Sequence, residues 1–171
     1  LIHFSLPILK KIEEVDFSTI DAVFGCLPHT ASQSTILELL TKENGKYSHL
    51  KIIDLSADFR LKDPADYQLW YEHEHVAKSL QKTAVYGLPE IHRRDIKKSS
   101  LVASAGCYPT SALLPLIPLL RHQLIAKDSI IIDSKSGTSG AGRSLKTNNL
   151  FCEVNESVKA YSIAVSYTHL R

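Results

Sequence analysis

Short apolar runs alternate with longer segments in which apolar residues recur every three or four positions, and this alternation predicts strands separated by helices. Asp21-Ala22-Val23-Phe24-Gly25-Cys26-Leu27 predicts a buried strand, which Pro28-His29-Thr30 ends. Residues 31–41, apolar at Ile36, Leu37, Leu39 and Leu40, predict the helix that follows. Lys51-Ile52-Ile53-Asp54-Leu55 predicts a second strand. Asp63-Pro64 pairs an N-cap with a proline at the first helical position, and so predicts a helix to about Trp70. Tyr86-Gly87-Leu88-Pro89-Glu90 predicts a turn and 91–98 a short, charge-rich helix. Leu101-Val102-Ala103 predicts a buried strand, Pro109 the first turn of a helix to about His122, and Ser129-Ile130-Ile131-Ile132-Asp133 a further strand. The order is that of an α/β protein with a largely parallel sheet. The cysteine at 107 starts a new unit, so a domain boundary is expected near residue 104.

The segment Ser104-Ala105-Gly106-Cys107-Tyr108-Pro109-Thr110 has the form of a nucleophile mount. The strand leads to a glycine expected to relax the backbone, and Cys107 then falls just ahead of a helix N-terminus. Unpaired amides and the positive end of the helix dipole favour thiolate there, and thiolate attacks carbonyl carbon. The competing reading of Cys107 is a small packing residue. Cys26 and Cys152 read as packing residues.

In an open parallel sheet, ligands bind at the carboxyl ends of the strands, so the loops there are the candidate sites. Ser136-Gly137-Thr138-Ser139-Gly140-Ala141-Gly142-Arg143 has backbone able to approach a nicotinamide, a phosphate or an oxyanion, although its spacing is not the dinucleotide fingerprint. Arg60 suits a carboxylate or phosphate clamp, or else a surface pair with Asp58 or Asp63. His29 either points into a crevice or is solvated. His73 and His75, alternating with Glu72 and Glu74, read as a solvated helix end rather than a metal site, and no metal is expected.

Composition narrows the classes. Of 171 residues, 44% are hydrophobic and 22% charged, which sets disorder aside. Twenty Lys and Arg against 18 Asp and Glu give a formal charge of +2 without a basic patch, so no nucleic-acid partner is expected. The apolar run 112–120 holds Pro115 and Pro118 and is too short for a bilayer, so no membrane partner is expected. Three cysteines in dissimilar contexts fit a reducing compartment.

Four stretches in order, 54–61 (Asp54-Leu55-Ser56-Ala57-Asp58-Phe59-Arg60-Leu61), 85–90, 106–110 and 134–143, closely resemble the N-acetyl-gamma-glutamyl-phosphate reductase family, and the likeness runs from about Asp16 to Tyr161. The resemblance implies part of a Rossmann-like nucleotide-binding domain over 1–104, followed by part of an α+β catalytic and dimerisation domain of the semialdehyde dehydrogenase type over 105–171. It implies NADPH-dependent reduction of a small acyl phosphate, N-acetyl-glutamyl phosphate, to the semialdehyde in arginine biosynthesis. Cys107 would be the nucleophile that forms a thioester. Leu27, Pro28 and Ser56 would line the NADP crevice, Ser139, Gly140 and Gly142 would lie near the nicotinamide, and Arg60 and Tyr161 would bind substrate.

A homo-oligomer is implied for the whole protein, in the cytoplasm or, for a plant source, the plastid. The family's opening strand and glycine-rich turn are not found ahead of Leu1, and 162–171 does not match the family's histidine motif, so His169 is not assigned its acid/base role. The chain is therefore expected to be an internal piece with little turnover of its own. The alternatives are an aspartate-semialdehyde dehydrogenase-like enzyme and a non-catalytic α/β nucleotide-binding module.

Overall fold

A computed structural model of the chain describes residues 7–142 and 145–159. The chain divides into two compact units, Leu1–Ala105 and Gly106–Arg171.

The first unit is built on four short strands, β1 (Ala22–Gly25), β2 (Lys51–Asp54), β3 (Val85–Gly87) and β4 (Leu101–Ser104). All pair in parallel in the order β1-β2-β4-β3, with Gly25 opposite Asp54, Asp54 opposite Ala103, and Gly87 opposite Ser104. Four helices connect them: α1 (Ala31–Gly45), α2 (Pro64–Tyr71), α3 (Lys78–Thr83) and α4 (Pro89–Lys98). Ile52, Leu101 and Ala103 from the central strands pack with Ile36 and Leu39 of α1, Leu50, Phe59, Ala77 and Ala84 to form the core. β1 stands at one end of the order, and its Phe24 is 68% exposed.

Local chemistry explains the clearest helix. The Asp63 carboxylate accepts the Ala65 N–H at 2.8 Å, Pro64 opens α2, and Glu72 in the left-handed region (φ 58) closes it. Two expectations need correction here. Tyr86 and Gly87, expected at the start of a turn over 86–90, instead belong to β3, because Val85-Tyr86-Gly87 gains its hydrogen bonds from β4 rather than from any local pattern. Proline at 89 then starts α4 two residues before the expected helix.

Gly87 allows the close approach of β3 to β4. A Cβ placed on it would lie 2.8 Å from the Ala103 carbonyl oxygen and 3.0 Å from the Ser104 Cα. Gly87→Ala is therefore expected to destabilise the first unit by about 1–3 kcal/mol, read as a lower denaturation midpoint. An unchanged midpoint would show that the strand gives way freely.

In the second unit, helix α5 (Cys107–Arg121) is followed by short turns and by the four-residue helix α6 (Phe151–Val154). Pro115 and Pro118 lie inside α5, where each removes one amide from the ladder. The strand expected over 129–133 is not formed. A 3₁₀ turn occupies Lys127–Ser129, Ile131 is 92% exposed, and no neighbouring strand of this unit pairs with the run among the described residues. An apolar run becomes a strand only when another strand meets its backbone groups.

Candidate active site

Parallel pairing puts the carboxyl ends of all four strands of the first unit on one edge, and the loops 26–30 and 55–63 leave from it. A buried polar network shapes both. Asp54, at the end of β2, is fully buried. Its Oδ1 accepts the Ser32 hydroxyl at 2.6 Å and the Ser56 N–H at 3.2 Å, and its Oδ2 accepts the Ser56 hydroxyl at 2.6 Å. One carboxylate thus fastens the first turn of α1 to the start of the loop after β2.

Asp58 makes a second tie. Its Oδ1 accepts the Thr30 N–H at 3.1 Å and the Tyr67 hydroxyl at 2.8 Å, and the Tyr67 oxygen in turn accepts from the Gln33 amide at 2.7 Å. Burial, with the Asp58 carboxylate beside it, pushes the Tyr67 phenol well above its ordinary pKa. His75 donates from Nε2 to the Asp58 carbonyl at 3.0 Å and accepts the Ala77 N–H at Nδ1 at 3.0 Å. These partners assign the neutral tautomer, and burial pulls its pKa below the usual histidine value. His75 is 1% exposed, which corrects the expectation of a solvated helix end; His73 is exposed.

His29 reaches the same network from the other loop, with Nδ1 accepting the Ala57 N–H at 3.1 Å. The Asp58 carboxylate stands 4.0 Å from that nitrogen. A ring nitrogen that accepts carries no proton to share, so in this state the two do not form an ion pair.

Of the residues expected to line a cofactor crevice, Leu27 and Pro28 are exposed in the loop after β1. Ser56 is buried and its hydroxyl is committed to Asp54, so it acts on the loop's shape. Arg60 pairs with neither Asp58 nor Asp63. Its Nε donates to the Ser104 carbonyl at 2.8 Å and its Nη2 to the Leu55 carbonyl at 3.2 Å, joining the ends of β2 and β4 just beyond their last paired residues. Leu27 and Leu55, 39% and 46% exposed, give this edge an apolar surface.

In the second unit Cys107 is exposed and is the first residue of α5, one position later in the helix than expected. Gly106 is the N-cap at φ −70 and ψ 159, extended backbone open to any residue, so the expected special role of glycine there is not what seats the cysteine. The Thr110 hydroxyl and N–H both return to the Gly106 carbonyl, at 2.8 and 2.9 Å, and tighten the turn. Cys26 and Cys152, expected as packing residues, are exposed as well.

The glycine loop forms a 3₁₀ turn over Thr138–Ala141, and Gly142 ends it at φ 75, ψ −160, a conformation close to glycine-only. Ser139, Gly140 and Gly142 are all exposed. Tyr108, next to Cys107, and Lys135, next to the glycine loop, line one groove between α5 and 131–135. Tyr161, His169 and the divergent stretch 162–171 lie outside the described residues.

The profile of the semialdehyde dehydrogenase NAD binding domain matches residues 4–99, and that of the semialdehyde dehydrogenase dimerisation domain matches 107–171. The chain belongs to the semialdehyde dehydrogenase family. Within it, N-acetyl-gamma-glutamyl-phosphate reductase of Rhodospirillum rubrum is 58% identical over 158 residues, covering 92% of this chain and 44% of that protein. A probable chloroplastic N-acetyl-gamma-glutamyl-phosphate reductase of Arabidopsis thaliana is 54% identical over 158 residues, covering 92% of this chain and 38% of its own length. The enzyme of that name from Campylobacter jejuni is 50% identical over 156 residues, 91% of this chain and 43% of its own. The chain thus spans less than half the length of these relatives.

The semialdehyde dehydrogenase fold gives the sequence motifs distinct places. Ser56, Asp58 and Arg60, all in one motif, become the junction that ties the loop after β1 to the end of β4. Tyr67, Gln33 and His75 complete that junction and were not foreseen. His75 was expected at a solvated helix end, and Gln33 and Tyr67 lie in predicted helices whose pattern does not set them apart.

Proposed function

We propose that the whole protein reduces N-acetyl-glutamyl phosphate to N-acetyl-glutamate semialdehyde, with NADPH as donor and Cys107 as nucleophile. The exposed cysteine at the first position of α5 carries the proposal. An exposed sulfur weighs against the packing role that a non-catalytic module would need. The first amides of a helix are not used by its own ladder and stabilise negative charge beside them.

In this reaction the Cys107 sulfur attacks the acyl carbon, the carbon–oxygen bond to phosphate breaks, phosphate leaves with the electron pair, and a thioester remains on Cys107. The apolar surface of Leu27 and Leu55 at the carboxyl edge fits a nucleotide, with Leu27 and Pro28 as walls and Ser56 behind them. A cofactor bound there would supply the hydride that takes the thioester carbon to the aldehyde level, the carbon–sulfur bond then breaking to release the aldehyde and return Cys107 as thiolate. Ser139, Gly140 and Gly142 lie in the backbone that approaches its nicotinamide. Arg60, its Nε and Nη2 anchored on carbonyls, keeps a fixed positive charge at the edge for the anionic substrate, and Tyr161 is a second substrate contact.

The dimerisation-domain match supports a homo-oligomer. No helix among the described residues is long and apolar enough to cross a membrane. Two plant relatives carry chloroplastic names, which supports the plastid for a plant source, and the cytoplasm is the proposal for any other. The 171-residue chain by itself is expected to have little turnover.

The test is an assay of the full-length protein with N-acetyl-glutamyl phosphate, aspartyl phosphate, NADPH and NADH in all pairings. NADPH consumption in step with phosphate release from the first substrate is the expected result. Preference for aspartyl phosphate would instead make the enzyme aspartate-semialdehyde dehydrogenase-like, and preference for NADH would overturn the cofactor assignment.

A further inference from the structure

Thr30 is the last residue of the loop after β1, directly before α1, and its backbone is left-handed at φ 70. A β-branched side chain disfavours that region, and a residue stays there only where its surroundings hold it. The holding group is visible. The Thr30 N–H donates to Asp58 Oδ1 at 3.1 Å, and the same oxygen receives the Tyr67 hydroxyl at 2.8 Å. Asp58 is 0% exposed, so water does not compete for its carboxylate. The Ala57 N–H bound to His29 Nδ1 at 3.1 Å adds a second tie between the same two loops, one residue away on each.

We propose that Asp58 and Thr30 form a latch in which the buried carboxylate holds Thr30 in its strained conformation, presetting the loop 28–30 for the nicotinamide cofactor. The proposal rests on the reading that the cofactor occupies this edge. A loop held in one conformation before binding loses less freedom on binding, so the latch is read in affinity as well as in stability. Asp58 and Thr30 act through the loop and are positioning residues. Asn at 58 keeps an acceptor oxygen for the Thr30 amide, whereas Ala keeps none. Gly at 30 adopts the left-handed conformation without being held.

The experiment compares full-length wild type, Thr30→Gly, Asp58→Ala, Asp58→Asn and the Thr30→Gly/Asp58→Ala double variant, measuring NADPH affinity by fluorescence titration and the denaturation midpoint. Asp58→Ala is expected to weaken NADPH by about tenfold, and Asp58→Asn by no more than about twofold. Against Thr30→Gly, Asp58→Ala is expected to cost less than about threefold, because little strain remains to be held. Thr30→Gly alone is expected to raise the midpoint, and this arm stands even where Asp58→Ala does not fold.

An equal loss of affinity in both backgrounds, an affinity untouched by Asp58→Ala, or a midpoint that Thr30→Gly leaves unchanged would each overturn the latch. A wild-type protein that binds neither NADPH nor NADH would overturn the cofactor reading, and with it the latch's role in binding. The midpoints would then still judge the mechanical tie, which additive effects of the two substitutions would refute.

Discussion

Replacing Cys107 by serine is expected to lower reductase turnover of the full-length protein by at least about a thousandfold, with NADPH affinity unchanged. The two side chains differ by one atom, so packing at this exposed position is barely disturbed. What changes is the nucleophile. A thiol is partly ionised near neutral pH and its anion is soft and highly nucleophilic, whereas a serine hydroxyl needs an adjacent base to be activated. A serine ester is also a poorer hydride acceptor than a thioester, so both halves of the reaction suffer. Single-turnover phosphate release and mass measurement of the acyl-enzyme read the first half separately from the second. Turnover within tenfold of wild type would remove Cys107 from the mechanism.

Asp54→Ala carries the largest expected cost to stability. The wild-type carboxylate is 0% exposed and is the acceptor for the Ser32 hydroxyl, the Ser56 hydroxyl and the Ser56 N–H. Alanine leaves all of these donors in a space closed to bulk water, and a buried donor without a partner costs about 1–3 kcal/mol. Allowing for partial relaxation, a loss of about 3 kcal/mol or more is expected from chemical denaturation. Asp54→Asn retains one acceptor oxygen and is expected to lose less. A change below about 1 kcal/mol would mean that water enters and replaces the carboxylate.

The parts of the fold that were legible in the sequence are those decided locally. Asp63-Pro64 marks the start of α2 by its own capping chemistry, and Leu101-Val102-Ala103 is apolar enough to seek the middle of a sheet wherever the chain leads. β3 was hidden because three residues ending in glycine become a strand only beside β4. The run 129–133 misled for the opposite reason: it has the composition of a strand but meets no pairing partner among the described residues of its unit.

The site divides in the same way. Cys107 stood out from the order strand, glycine, cysteine, proline, and its proposed role as nucleophile is what the serine variant tests. The polar network behind the carboxyl edge did not, since Asp54 and Asp58, Tyr67, Gln33 and His75 come from four separate segments and become buried only when those segments meet. Arg60 stood out as a charge following a strand end, expected either to clamp an anion or to pair with Asp58 or Asp63, and its guanidinium meets backbone carbonyls and neither carboxylate. Which partners its guanidinium takes depends on the Ser104 carbonyl 44 residues away, a proximity that no local pattern encodes.

The terminal position of β1 in the sheet has a practical corollary. Its outer rim offers amide and carbonyl groups that no strand among the described residues engages, next to a largely bare phenylalanine ring. Such a rim templates pairing with other chains, so this stretch produced in isolation is prone to self-association and clumping. A lysine in place of Phe24 is a direct remedy, because it removes the sticky surface and adds a repelling charge in one step.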